Sequence, residues 1–152
     1  MQLSFVCNYT FPCRLAMSLL LLLTIGNRAL PLMAQNANIE INNAKQLLQK
    51  QLFKEALSAL ETADSSRSET WYYRAQAHYA TGQFGQALRS LDRAIDINPV
   101  DAASYSLRGM VKLYALQKPE DAVLDFSMAT GINPNDSNAF AGRSFAWLSL
   151  GN

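Results

Sequence analysis

Three arginines, Arg74, Arg108 and Arg143, stand 34 and 35 residues apart (108 − 74 and 143 − 108). A ladder of guanidinium groups could grip an acidic ligand, because each offers a planar fork that matches a carboxylate. Recurrence at one structural position also suits repeated pairing with acids inside the fold, such as Asp92 or Asp125, and this structural role is the preferred expectation. His78 is the single histidine, and no Cys, His or carboxylate cluster with metal-ligand spacing surrounds it, so it is expected to be solvated or packed and no metal site is expected. Nucleophile elbows, phosphate-cradling glycine loops and paired-carboxylate motifs are missing from the sequence. The chain is therefore read as a non-enzyme with no catalytic residues and no cofactor. Asn135-Asp136-Ser137 matches a glycosylation acceptor, which matters only in a eukaryotic secretory route.

The two cysteines, Cys7 and Cys13, lie in a segment with the features of a secretion signal. Arg14 supplies a positive n-region, Leu15 to Ile25 form a short apolar run, and Ala34 offers a small residue before a cut at Gln35. Gly26, Asn27 and Arg28 interrupt the run short of the roughly 20 apolar residues that a membrane span needs. Residues 1–34 are thus expected to be a cleaved signal peptide, the alternative being an uncleaved anchor that holds the protein to the membrane. Cleavage would leave a thiol-free protein, suited to an oxidising compartment, and the expected location is periplasmic or secreted. Removing Arg14 and Arg28 from 13 basic residues leaves 11 against 12 acidic ones, a formal charge of 11 − 12 = −1. That balance argues against nucleic acid as a partner, since nucleic-acid binders carry a basic surplus. No membrane contact is expected once the signal is removed.

The elements that must position these residues emerge from the repeat itself. WYYRAQAHYATGQF from Trp71, YSLRGMVKLYALQKP from Tyr105 and FAGRSFAWLSLGN from Phe140 align with the same 34- and 35-residue steps. QALRSLDRAIDINP and DAVLDFSMATGINP follow the first two, ending at Pro99 and Pro134, again 35 apart (134 − 99). Ala87, Leu88, Leu91, Ala94 and Ile95 recur at threes and fours and so share one helical face that must be buried. Gly82 is placed where a helix has to end in a left-handed conformation, and Asn98-Pro99 and Asn133-Pro134 stop the helices before them. Gln117-Lys118-Pro119 lacks that glycine and is one residue longer, which is expected to lengthen the turn, with Pro119 opening the next helix and Glu120 and Asp121 behind it. Ser66 and Glu69 have capping-box spacing ahead of Trp71.

Trp71, Ala75, Gly82, Phe84, Ala87, Leu91, Ala94 and Pro99, followed by Tyr105, Gly109, Ala122, Phe126, Ala129 and Pro134, resemble the tetratricopeptide repeat. The resemblance implies an all-α fold, an α-solenoid of antiparallel helix hairpins wound as a right-handed superhelix. Residues 35–152 would form this domain, with repeats at about 37–67, 68–101 and 102–136 and a partial one at 137–152, giving about three hairpins and one unpaired C-terminal helix. The first repeat is the weakest, with Ala44, Phe53, Ala56, Leu60 and Ala63 in register but neither an aromatic lead nor a closing proline.

Proteins of this shape hold peptides or helices along a concave surface made by their first helices. By the same resemblance the groove positions are Lys45, Tyr72, Tyr73, Gln76, Tyr79, Met110 and Tyr114, with Asn42, Glu69, Ser106 and Leu113 beside them. Their aromatic and methionine content suits a protein or peptide partner with apolar anchors. Some relatives grip a chaperone's C-terminal carboxylate with lysine, asparagine and arginine. Here Tyr72, Gln76, Ser106 and Met110 take those places, which disfavours such a tail. The expected function is a protein-interaction scaffold or adaptor. The alternatives are an accessory or regulatory subunit of an envelope enzyme, or a truncated piece of a longer array. Phe140, Ala141, Ser144, Trp147 and Leu148 would lack a covering helix, so either this helix docks onto a partner or self-associates with a second copy, or the sequence is a piece of a longer array, which is the preferred expectation.

Overall fold

In a computed structural model of the chain, residues 38–151 are described, and all regular structure among them is helical. The expected signal peptide, its cleavage point, residue 37 at the start of the first repeat and Asn152 lie outside them. Helix α1 occupies 38–49, followed by α2 (Phe53–Glu61), α3 (Ser68–Ala80), α4 (Phe84–Ile97), α5 (Ala102–Met110, continuing as a π-helical turn Val111–Ala115), α6 (Pro119–Ile132) and α7 (Ser137–Ser149). These are hairpins α1–α2, α3–α4 and α5–α6 with α7 after them, the α-solenoid that the repeat implies.

Each hairpin turns on a residue with positive φ: Gln51 (60°), Gly82 (74°) and Gln117 (53°), with Gly151 (81°) at the end of α7. This left-handed conformation costs glycine little and other residues roughly 1–2 kcal/mol. Helices α4 and α6 end at Ile97 and Ile132, ahead of Asn98-Pro99 and Asn133-Pro134. The first helices of the later repeats are capped by aspartates. Asp101 accepts from the Ala103 amide (3.2 Å) and Asp136 from those of Asn138 and Ala139 (both 3.1 Å), each meeting donors that a helix start leaves unpaired.

Two local expectations need correction. Ser66 and Glu69 do not form a capping box. Helix α3 begins at Ser68, the Ser66 amide donates to Asp64 (2.9 Å), and Glu69 pairs with Arg67. The helix start is anchored instead by bonds from Thr70 Oγ1 to the Asp64 carbonyl (2.7 Å) and from Trp71 Nε1 to the Ser65 carbonyl (2.8 Å). Nor does the additional residue of the third repeat lengthen the turn. It widens α5 into the π-helical turn, closed by Leu116 N–H to the Val111 carbonyl at 3.2 Å. Counting from the lead aromatic, Gly82 is residue 11 (82 − 71) and Gln117 is residue 12 (117 − 105), so the insertion lies inside the helix.

The interior forms a succession of clusters. Ile41, Ala44, Leu60 and Ala63 make one; Ala75, Ala87, Leu91, Leu107 and Val111 the next; Tyr105, Leu113, Phe126 and several alanines the third. Of the face read in α4, Ala87, Leu91 and Ala94 are fully buried and Leu88 and Ile95 half-buried. Burying a side chain such as Leu91 or Phe126 contributes about 1.5–3 kcal/mol. Phe126 fits because Gly109 and Gly142 flank its ring, where the repeat before it places Ala75 in one cluster with the smaller Leu91.

Candidate functional site

The positions proposed for the groove divide into two clefts and a packed middle. Lys45 from α1 and Tyr72, Tyr73 and Gln76 from α3 come together, with Leu48 and Gln49, around a cleft of about 370 Å³. They meet because positions four apart on one helix share a face and α1 and α3 are corresponding first helices. The Tyr72 and Tyr73 rings lie edge to face at 5.3 Å, and Gln76 Nε2 donates to the Tyr72 hydroxyl at 2.9 Å. Burial raises the Tyr72 phenol above its ordinary pKa, against the Gln76 hydrogen bond, with Asp101, Tyr73 and Asp136 adding to the rise. Tyr72 therefore stays a neutral, fixed hydroxyl.

Tyr114 lies in the second cleft, about 390 Å³, lined with it by Leu113, Gln117, Pro119, Phe145 and Ser149. Its ring stands 6.0 Å from that of Phe145. Phe145 was not among the sequence-derived positions, although it follows Met110 by 35 residues (145 − 110) and Gln76 by 69 (145 − 76). The series Lys45, Gln76, Met110, Phe145 runs from cationic through polar to apolar.

Tyr79 and Met110 line neither cleft. Tyr79 packs on Phe84 at 5.9 Å, and Met110 is half-buried against both of the larger clusters. Ser106 is buried, whereas Asn42 and Glu69 are exposed.

The arginines repeat one arrangement with changing partners. Each lies over the aromatic ring three residues before it: Arg74 over Trp71 at 4.7 Å, Arg108 over Tyr105 at 5.4 Å, Arg143 over Phe140 at 5.0 Å. Each also reaches a second helix of a hairpin, but acids are the partner only for Arg108. It makes a bidentate pair with Asp125 (3.0 and 2.7 Å) and a further bond to Asp92 (2.7 Å), while Lys112 Nζ approaches Asp125 at 2.7 Å. Arg74 donates to the Leu60 carbonyl (2.6 Å) and Arg143 to Thr130 Oγ1 (3.0 Å), correcting the expectation of carboxylate partners throughout. At the position of Asp92, α6 carries Ser127, whereas α2 carries Glu61 and Arg74 nonetheless bonds the Leu60 carbonyl. Burial lowers the Arg108 pKa, and the charges and hydrogen bonds of Asp125 and Asp92 outweigh it, so the net shift is upward.

His78 Nδ1 shares a hydrogen bond with Gln83 Oε1 at 3.0 Å, and the residue lines a third cleft, of about 340 Å³, with Trp71 and Arg74. Burial, then the charges of Arg74 and Arg89, lower its pKa against the Gln83 bond. Among the described residues no group of three His, Cys, Asp or Glu could hold a metal ion, and no helix is long and apolar enough to cross a membrane.

Comparison with known proteins places this geometry. Residues 68–99 match the family model described as the tetratricopeptide repeat. A curated relative, the TPR repeat-containing thioredoxin TDX of Arabidopsis thaliana, is 29% identical over 93 residues, which are 60% of this chain and 24% of that protein. The chain thus spans about a quarter of that relative's length. Among solved structures, the first TPR domain of Spaghetti (RPAP3), bound to an HSP90 peptide, superposes with a TM-score of 0.73 at 23% identity, covering 78% of this chain and 95% of that one. The Yersinia enterocolitica type III secretion chaperone SycD, in complex with a peptide of the translocator YopD, gives a TM-score of 0.67 at 12% identity, covering 74% and 93%. Those likenesses are of fold, and they agree with the matched repeat and the hairpin series: the chain carries a tetratricopeptide repeat at residues 68–99 within a TPR-like fold of helical hairpins.

Proposed function

We propose that the chain is a protein-interaction scaffold that holds a peptide or helix of a partner protein along its first helices, without catalysing a reaction itself. The observation that carries this reading is the cleft where Lys45, Tyr72, Tyr73 and Gln76 meet, followed by a second one where Tyr114 and Phe145 stand beside Gln117 and Ser149. Paired tyrosines, one fixed by Gln76, give a rigid contact surface at low entropic cost, and the second cleft offers the Tyr114 and Phe145 rings together with polar groups of Gln117 and Ser149. Two solved proteins of this fold hold peptides, one from HSP90 and one from YopD. Residues 1–34 act in this reading as a secretion signal that delivers the scaffold to the periplasm or the cell exterior.

Selection of peptides from a display library on the full chain tests the groove. Selected peptides should lose at least about tenfold in affinity on Tyr73→Ala and on Tyr114→Ala, with helicity unchanged. Unaltered affinity in both variants would move the binding surface elsewhere. Sequencing the N-terminus of the exported product checks the cut before Gln35.

An accessory-subunit role is the second reading. It is favoured by the plant relative, whose name couples such repeats to a thioredoxin. One stoichiometric enzyme partner, rather than several peptides of related sequence, would identify it.

A further inference from the structure

The cleft of about 340 Å³ lined by Leu57, Glu61, Trp71, Arg74, His78 and Ser90 has a filled counterpart in the next repeat. Arg74 and His78 stand 34 residues before Arg108 and Lys112 (108 − 74 and 112 − 78), and Ser90 stands 35 before Asp125 (125 − 90). Glu61 stands 31 before Asp92 (92 − 61), the step that also separates Ala56 from Ala87. In the later repeat these positions close on one another. Arg108 holds the Asp125 carboxylate with two bonds and Asp92 with a third, and Lys112 Nζ lies 2.7 Å from Asp125. In the earlier repeat serine replaces the aspartate, so the central carboxylate is missing and a cleft takes its place.

The groups that would hold such a carboxylate remain. Arg74 Nη2 donates to the Leu60 carbonyl, while Nε and Nη1 meet no acceptor and no carboxylate pairs with this guanidinium among the described residues. Ser90 is 6% exposed, yet its hydroxyl bonds to no described group and opens on the cleft. Burying a hydroxyl without a partner is unfavourable, so an acceptor from outside gains from meeting it. We propose that this cleft binds a carboxylate of a ligand, gripped by Arg74 and the Ser90 hydroxyl, with the ligand's apolar body against Trp71 and Leu57. The guanidinium fork suits a carboxylate, as Arg108 and Asp125 show one repeat later. Glu61, at the place of Asp92, adds a negative charge that disfavours a phosphate dianion. The carboxylate can come from a small organic acid or from an acidic side chain of another protein. Trp71, Arg74 and His78 face about 180° away from Tyr72, Tyr73 and Gln76 around α3, so the inference stands whether or not a peptide occupies the groove.

Titration of the full chain at constant ionic strength, followed by NMR at the Trp71 indole N–H and the Arg74 Nε–H, tests this site. The probes are sodium butyrate and a blocked Gly-Glu-Gly peptide, with butyramide and the Gly-Gln-Gly peptide as uncharged controls. Saturable shifts with a dissociation constant in the millimolar range are expected from at least one acid and from neither control. A response to butyrate alone identifies a free acid as the ligand, and a response to the peptide alone an acidic side chain. Ser90→Asp, which supplies the carboxylate from within as Asp125 does, should weaken binding at least about tenfold with helicity unchanged. His78→Lys, which adds the ammonium found at Lys112, should tighten it at least about threefold. Both variants copy residues that the next repeat already accommodates at these places. No saturable shift with either acid, equal shifts with the controls, or an affinity unchanged by both variants would overturn the proposal.

Discussion

A β-carbon on Gly142 would stand 2.5 Å from Cζ of Phe126, and one on Gly109 would stand 2.9 Å from Cε1 of the same ring. Phe126 is fully buried, and its ring has no flexible end that could swing aside. The largest fully buried side chain is thus accommodated by the absence of two small ones.

Gly142→Ala is expected to destabilise the fold by about 1–3 kcal/mol, read from urea unfolding. Gly109→Ala should cost a similar amount. Combined with Phe126→Leu, which recreates the Ala75 and Leu91 combination of the preceding repeat, it should cost less than the sum of the single changes. A coupling below about 0.5 kcal/mol would show that the ring is not the obstacle.

Arg108 joins Asp92, Asp125 and, through Asp125, Lys112. The Asp125 side chain is 5% exposed and that of Asp92 57%. Arg108→Ala leaves a buried carboxylate with one cation and should cost about 2–4 kcal/mol. Asp92→Ala removes an exposed partner and should cost at most about 1 kcal/mol. Equal losses in thermal unfolding would contradict this ranking.

Gln117 holds a left-handed conformation that glycine adopts at little cost. Gln117→Gly is expected to stabilise the protein by a few tenths up to about 1 kcal/mol, and Gly82→Ala to destabilise it by about 1 kcal/mol. Opposite signs in a side-by-side melt are the required result.

The His78 pKa is lowered in the folded chain, so the unfolded chain binds more protons between the folded value and the ordinary 6.5. Stability that is present above pH 6.5 is therefore lost as the pH falls through the folded pKa. Denaturant midpoints should decline over that acid window, and His78→Gln should flatten the decline. A midpoint that rises on acidification in the native chain alone would reverse the sign of this linkage.

The hairpins were legible because one set of residues both recurs and packs: Ala87, Leu91 and Ala94 repeat as Ala122, Phe126 and Ala129, and both sets are buried. Helix ends at Asn98-Pro99 and Gly82 followed from backbone chemistry that acts locally. The π-helical turn was not legible, since an inserted residue looks the same in sequence whether the loop or the helix receives it. Lys45, Tyr72, Tyr73 and Gln76 share a cleft because they occupy corresponding faces of α1 and α3. Tyr79 and Met110 share that register too, yet each is half-buried outside the clefts, Tyr79 against Phe84 and Met110 against the clusters on either side. Phe145 could have been found by carrying the position of Met110 forward one more repeat.

The wide turn at Val111–Ala115 acts as a phase corrector. An additional residue in an α-helix advances everything after it by roughly 100°, and here that slip is absorbed before α6 begins, so Phe126 still arrives over Gly109 as Leu91 arrives among its own partners. Such an array can gain or lose a single codon within one helix while neighbouring units keep their alignment. Length variation in these repeats need not be confined to the connecting loops.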